Sequence, residues 1–268
     1  MIVIGEKING TRKAVGNAIR ARDKQLIQDL AKHQVDAGSD FLDVNAGTPR
    51  DREPDDMVWL VETIQEVCET PLCLDTANPK ALLAGLKQVR FPTMVNSVTG
   101  EKPRIDGILP LACEFKTNVI LLPIDDGGIP KTSNSRMVII EELVNLAKGG
   151  GLLEEQLYID PLAIAISTGT EGALVTFDTI RKIREMYPKA HVTIGLSNIS
   201  FGMPLRSIIN QSFLSMLVLS GLDSAIMNPN DRLLKGTMLA SEMLVNKDRH
   251  CQTFSRAYRS GALNIHEK

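Results

Sequence analysis

Four stretches of the chain end an apolar, partly β-branched run on a carboxylate or a carboxamide. They are Pro71-Leu72-Cys73-Leu74-Asp75-Thr76, Thr93-Met94-Val95-Asn96-Ser97, Gln156-Leu157-Tyr158-Ile159-Asp160-Pro161-Leu162-Ala163 and Val192-Thr193-Ile194-Gly195-Leu196-Ser197-Asn198. Each run reads as a short buried strand, and in the third a proline stops the strand directly after Asp160. A single Asp or Asn at such a place commonly caps the helix that follows. Four in register, on parallel neighbours, instead gather hydrogen-bonding groups on one rim. Asn9, Asp43, Asn45 and Asp125 close other apolar runs and join the same set. A carboxylate can accept two parallel N–H bonds from a ring amide and its adjacent amino group, and a carboxamide both donates and accepts. Such a rim suits a flat heterocycle, a pterin or a purine-like ring, and not a sugar phosphate.

Other chemistries find little support. His33 falls in a helical stretch, His191 precedes a strand, and His250 and His266 lie near the end of the chain. No set of metal ligands converges, so metal-dependent hydrolysis is not expected. Lys7 is the only lysine at a strand end. It gives a Schiff-base mechanism one candidate and reads more simply as a solvated rim charge. No Walker-type glycine loop is present. A net charge of −2 with all four charged residue types mixed argues against a nucleic-acid partner. No apolar run reaches membrane-spanning length, and the N-terminus lacks the basic start and cleavage signal of an export peptide. A soluble, cytoplasmic protein is expected. The four cysteines form no Cys-x-x-Cys pair, and Cys68, Cys73 and Cys113 read as reduced core thiols.

The elements that would position the rim follow a regular pattern. Strands are expected at residues 2–5 (with Glu6, Lys7 and Asn9 at its end), 41–45, 72–75, 93–96, 118–125, near 156–160, 192–196 and 224–227. Helices are expected at about 23–37, 55–69, from Asn78-Pro79 onward, 105–115, 135–148, 174–187, 205–219 and 232–245. Regular strand–helix alternation implies parallel strands. Eight such units in this length are the count at which a parallel sheet closes into a barrel. No Gly-x-Gly-x-x-Gly follows the first strand, which disfavours an open doubly wound sheet. The expectation is an α/β fold, a single-domain (β/α)8 TIM barrel over residues 1–246. A polar tail follows at 247–268, for which a small appendage and a flexible end both fit. In such barrels the chemistry sits where the strands end, on the Asp/Asn rim.

The ordered segments resemble a known family. They are Gly5-Glu6-Lys7-Ile8-Asn9, Asp40-Phe41-Leu42-Asp43-Val44-Asn45, Leu74-Asp75-Thr76, Val95-Asn96-Ser97, Ile159-Asp160-Pro161 and Gly195-Leu196-Ser197-Asn198-Ile199-Ser200-Phe201-Gly202. Together they are similar to the pterin-binding barrels, and specifically to the methyltetrahydrofolate–corrinoid/iron–sulfur protein methyltransferases. The likeness runs from Met1 to about Asn246. Dihydropteroate synthase shares the barrel but has a Ser-Thr-Arg-Pro-type loop after strand two and a Lys-Ser-Arg-like segment after strand seven, which hold pyrophosphate. Here those places read Ala46-Gly47-Thr48-Pro49-Arg50 and Gly195-Leu196-Ser197-Asn198, neutral polar groups in place of an anion clamp.

The resemblance implies that Asp160 accepts from the amino and ring N–H edge of the pterin, with Asp75 and Asn96 on the remaining edge and Asn9 and Asp43 nearby. Gly195 and Ser197 would let the ring approach the backbone. Arg206 would flank the pterin or p-aminobenzoate part, and Ile226 would pack on it. Asn198 is the residue expected to act in the reaction, with Asp160 and Asp75 in support. It would stabilise protonated N5 while a methyl group passes between 5-methyltetrahydrofolate and the cobalt(I) of a corrinoid such as cobalamin. The corrinoid would arrive on a separate protein. Asp248-Arg249-His250-Cys251-Gln252-Thr253 matches only the first half of the Asp-x-His-x-x-Gly signature of corrinoid domains, and too little chain follows for such a domain. The resemblance also implies a homodimer. The direction of transfer stays open, and a dihydropteroate-synthase-like condensation and a non-catalytic folate-binding subunit remain alternatives.

Overall fold

Short apolar runs bounded by Gly, Pro and Asx residues become parallel strands in the computed structural model, which describes residues 1–263. The strands are β1 (Ile2–Asn9), β2 (Phe41–Asn45), β3 (Leu72–Asp75), β4 (Met94–Thr99), β5 (Asn118–Leu122), β6 (Leu157–Ile159), β7 (His191–Val192) and β8 (Ser224–Met227). Their hydrogen-bonded order is β7-β6-β5-β4-β3-β2-β1-β8, every pairing parallel. Just beyond β7 the ring closes: the Ile226 N–H donates to Ile194 O at 2.8 Å, and Gly195 bridges Ile226. This is the TIM barrel that the alternation predicts.

Around it lie α1 (Lys13–Ala21), α2 (Lys24–Asp36), α3 (Glu53–Gln65), α4 (Pro79–Leu86), α5 (Lys102–Gly107), α6 (Leu109–Glu114), α7 (Ser133–Gly149), α8 (Gly172–Met186), α9 (Arg206–Ser220), α10 (Arg232–Leu244) and α11 (Gln252–Arg259). Strand side chains alternate in direction, so each strand serves two cores. Ile4, Cys73, Met94, Ile120 and Tyr158 fill the barrel lumen, while Val3, Leu72, Leu74, Val95, Val119 and Leu157 face the helices. At the base, the Tyr158 ring stacks on His191 with centroids 4.5 Å apart, and His191 Nδ1 lies 3.0 Å from Asp223 Oδ2. Arg184 completes that cluster with a 2.6 Å ion pair to Asp223. The base is a structural plug and leaves the opposite rim for chemistry.

Several elements differ from the sequence expectation. The first strand continues to Asn9, so Glu6 and Lys7 lie within it. Helix α1 was not expected: its buried residues are Val15, Gly16, Ala18 and Ile19, mostly too small to register as an apolar stripe. The helix expected at 105–115 is two short helices, α5 and α6, joined at Ile108. The fifth strand stops at Leu122, three residues early. The seventh has only two regular residues before the chain bends into a 3-10 turn over Leu196–Ser200. In the tail, α11 packs Phe254 and Ala257 against the main core. The end of the tail, with His266, lies outside the described residues. Among the described residues, no helix is long and apolar enough to cross a membrane.

Candidate active site

Two β-bulges shape the rim. Between Gly5↔Leu42 and Ile8↔Val44, β1 spends one residue more than β2; between Val95↔Val119 and Val98↔Leu121, β4 spends one more than β5. Consecutive residues of a regular strand point to opposite faces. A bulge breaks that rule and re-aims a side chain. Glu6 and Lys7 consequently line the same cavity at the mouth, and Asn96 sits inside the second bulge.

Beside Asn96 the rim carries two carboxylate–carboxamide pairs. Asn96 Nδ2 donates to Asp43 Oδ1 at 3.0 Å, and Asn45 Nδ2 donates to Asp75 Oδ2 at 2.9 Å. Asp43 is nearly fully buried. Burial first, and then the nearby Asp75 charge, push its carboxyl well above the usual range, with the Asn96 bond opposing. Burial also raises Asp75, against the Asn45 bond and the Arg104 charge. Among the described residues, the buried Asn45 Oδ1 has no partner. An unsatisfied buried acceptor is costly unless a ligand donates to it.

The third group is built on Asp160, directly after β6. Its Oδ1 accepts the Leu162 N–H at 2.7 Å, and its carboxylate also faces the Gly195 N–H. Burial nonetheless pushes its pKa up to about 7, opposed by those two N–H groups and the Arg136 charge. Arg136, on α7, is completely buried and holds the following loop: its Nη1 donates to Pro161 O at 2.6 Å and Leu162 O at 2.8 Å. Beside Asp160, Gly195 carries the next residue of interest. A Cβ added to Gly195 would lie 2.8 Å from Asn198 Nδ2, so the Asn198 carboxamide lies over the bare glycine. Asn198 is exposed, and among the described residues its side chain makes no hydrogen bond. It does not cap α9, whose N-cap Leu205 has no side-chain bond. Arg206 straps the turn from below, donating from Nη2 to Ser197 O at 2.7 Å and from Nε to Ser200 Oγ at 3.0 Å.

The structure therefore brings Asp43, Asn96 and Asp75 together on β2, β3 and β4. It links Asp160, Gly195, Ser197, Asn198 and Arg206 through the turn after β7, with Ile226 bridged to Gly195 and half-buried against the lumen cluster. Asn9 is the β1 partner of Asn45, but its side chain is engaged locally. Its Oδ1 accepts from Thr11 N at 3.0 Å and Thr11 Oγ1 at 2.6 Å, a local turn that leaves it out of the carboxylate pairs. Asp125 likewise folds onto its own loop, accepting from the Gly127 N–H. Sequence reading missed Arg136, although an arginine immediately before the apolar run Met137-Val138-Ile139-Ile140 was a usable signal. It also missed the pairing of Asn45 with Asp75, which no local pattern encodes.

Comparison with known proteins fits this geometry. Residues 5–228 match the family model described as pterin binding enzyme. The chain is 38% identical over 265 residues to a methylcorrinoid:tetrahydrofolate methyltransferase of Eubacterium limosum, covering 98% of both. It is 32% identical over 241 residues to the methionine synthase of Mycobacterium tuberculosis, an alignment spanning 85% of this chain and 20% of that protein. Among solved structures, a dihydropteroate synthase from Coxiella burnetii in complex with pteroic acid aligns with a TM-score of 0.70 at 17% identity, covering 92% of this chain and 94% of that one. That likeness is one of fold alone.

Proposed function

The chain belongs to the family of pterin binding enzymes, and from that premise we propose that its barrel mouth holds tetrahydrofolate and exchanges a methyl group between N5 and a corrinoid carried on a separate protein. It is a methyltransferase of the kind its full-length relative represents. That relative is named for methylcorrinoid as donor and tetrahydrofolate as acceptor, and we propose the same direction here.

The observation that carries the reading is the junction at Gly195. One atom group there faces a buried carboxylate, Asp160, and also supports an unengaged carboxamide, Asn198. When ionised, Asp160 accepts from the donor edge of the pterin, and the orphaned Asn45 Oδ1 takes a further ring N–H. With the ring fixed in this way, Asn198 reaches N5. In the proposed direction the N5 lone pair takes the methyl group as the cobalt–carbon bond breaks with its electron pair left on cobalt, and N5 then gives up its proton. In reverse, the tertiary amine is a poor leaving group until N5 is protonated. A carboxamide bonded to N5 stabilises the charge that develops there more in the transition state than in either ground state, and microscopic reversibility makes this serve both directions. The corrinoid supplies a cobalt centre whose reduced form is strongly nucleophilic. The open rim leaves the methyl face of N5 accessible to it. We further propose that the catalytic unit is the barrel of residues 1–246 with the tail braced on α10, and that the protein works as a cytoplasmic homodimer.

The test is anaerobic. Purified protein is mixed with methylcobalamin and tetrahydrofolate, and the rise of cobalt(I) absorbance is followed, then the reverse reaction from 5-methyltetrahydrofolate. Protein-dependent transfer is expected, with Asn198→Ala slower by more than about tenfold, the scale of one lost transition-state hydrogen bond. Because the Asn198 side chain is exposed and unbonded, its stability changes by less than about 0.5 kcal/mol. Unchanged transfer in a folded Asn198→Ala protein removes Asn198 from the mechanism.

A further inference from the structure

The rim is not uniform. Asp75, Asn96 and Asp160 stand on β3, β4 and the end of β6. Opposite β3 and β4 in the ring lie β7 and β8, and at the ends of β7, β8 and β1 the mouth opens into a cavity of about 290 Å³. Lys7, Arg12 and Arg206 line it, against two carboxylates, Glu6 and Asp231. Both carboxylates are partly committed: Asp231 caps α10, accepting the Leu234 N–H at 3.0 Å, and Glu6 forms a loose 3.5 Å pair with Arg12. Burial also raises the Glu6 pKa, with Arg12, Lys7 and Arg206 opposing. Arg206 is anchored through Ser197 and Ser200. Among the described residues, no ion pair or side-chain hydrogen bond holds the Lys7 ammonium, although Glu6 and Asp231 both attract it. The bulge in β1 is what turns Lys7 into this cavity beside Glu6.

We infer that this cavity is a subsite for the glutamate tail of the folate, with Lys7 and Arg12 receiving its carboxylates, and that the enzyme selects folates carrying more than one glutamate. The inference rests on the reading of the mouth as a tetrahydrofolate site. A pterin held by Asp75, Asn96 and Asp160 can send its p-aminobenzoyl-glutamate arm past Ser197 and Arg206 into the cavity they share with Lys7 and Arg12. Each γ-linked glutamate adds one more carboxylate. A guanidinium and an unpaired ammonium at the exit meet those carboxylates with charge-assisted hydrogen bonds. Arg206 stands where the arm crosses from the ring to the cavity.

Transfer kinetics and calorimetric binding with tetrahydropteroate (no glutamate), tetrahydrofolate monoglutamate and tetrahydrofolate triglutamate test this. In the wild-type protein, KM and Kd are expected to fall by about tenfold from the tail-less to the triglutamate form, the change made by 1.4 kcal/mol, with kcat little altered. In Lys7→Gln and Arg12→Gln that ratio collapses toward one, and in the wild type it shrinks with added salt. The Arg12 side chain is 46% exposed, so Arg12→Gln folds even if Lys7→Gln does not. Transfer that is indifferent to tail length, or a ratio preserved in folded variants, overturns the subsite and leaves the tetrahydrofolate reading standing. Absence of heat and of transfer with all three compounds removes both.

Discussion

Replacing Asp160 by asparagine is expected to stabilise the free protein at alkaline pH while weakening its hold on folate. Asp160 keeps its shape but loses its charge. Its carboxyl is 6% exposed and titrates at about 7, against 3.8 for an ordinary aspartate, because burial outweighs the Leu162 and Gly195 N–H groups and the Arg136 charge. Between those two values the folded chain holds a proton that the unfolded chain has released. Stability therefore falls as pH rises through that window and levels off above about 7. A gap of about three pH units corresponds to roughly 4 kcal/mol. The asparagine variant is free of that loss, but its NH2 group faces an N–H that the carboxylate oxygen had accepted, a penalty of about 1–3 kcal/mol at every pH. Urea unfolding should thus show the variant gaining roughly 3 kcal/mol on wild type between pH 5 and pH 8 and being the more stable of the two at pH 8. Tetrahydrofolate binding, read by calorimetry at pH 8, should weaken roughly 10- to 150-fold, the worth of a charge-assisted bond. In wild type the affinity should also fall as pH drops below about 7, since only the ionised form accepts from the pterin edge. A stability difference between variant and wild type that does not change from pH 5 to pH 8 would refute the assignment of this proton to Asp160.

Two further substitutions examine the surroundings of that carboxylate. Gly195→Ala places a methyl group 2.8 Å from Asn198 Nδ2, and only a side-chain amide has to move. The fold should survive within about 1 kcal/mol while methyl transfer drops. In a double-mutant cycle, Gly195→Ala combined with Asn198→Ala should be no slower than Asn198→Ala alone, and additive losses would show that Gly195 acts by another route. Arg136→Met leaves Pro161 O without its side-chain donor in the interior and Leu162 O with only the Thr176 hydroxyl. A loss of about 3 kcal/mol or more in urea unfolding is expected, and a loss under about 1 kcal/mol would show that the loop finds other donors.

How much of this was written locally in the chain depends on which interaction decided each feature. Burial on both faces forces a β-branched apolar run with its polar residue at the end, so Asp75, Asn96 and Asp160 stood out, and eight repeats of that run with their helices fixed the barrel. Features decided by contacts far apart in sequence did not stand out. Asn45 and Asp43 read as equivalent strand-end groups. Their partners lie 30 and 53 residues away, and only the register between β2, β3 and β4 pairs them. The bulges at Glu6-Lys7 and Asn96-Ser97 exist because neighbouring strands disagree by one residue, which neither strand records alone. Helix α1 escaped because its inner face is built of small residues. Gly16 has no room for a side chain: a Cβ there would lie 2.5 Å from Gly10 O. Asn9 shows a local interaction of its own: a strand-end asparagine followed by Gly10-Thr11 closes a turn onto Thr11 beside its strand partner Asn45.

The internal hydrogen bonds also set the proposed pterin site apart from an anion clamp. Asn45 and Asn96 each spend one N–H on a neighbouring carboxylate. What these pairs offer a ligand is amide and carboxyl groups with no positive charge. A phosphate or pyrophosphate finds no cation among them, whereas the amino and ring N–H edge of a pterin finds several acceptor oxygens. On the opposite side of the mouth the balance inverts, with Lys7, Arg12 and Arg206 presenting donors and positive charge. A ligand that satisfies both sides must be donor-rich and neutral at one end and anionic at the other, separated by the width of a barrel mouth. Reduced folates have that polarity, a pterin at the head and carboxylates at the tail. Asn198 lies on the turn after β7 beside Ser197 of that cavity, and in the proposed pose it meets N5 with an amide that no other described side chain engages.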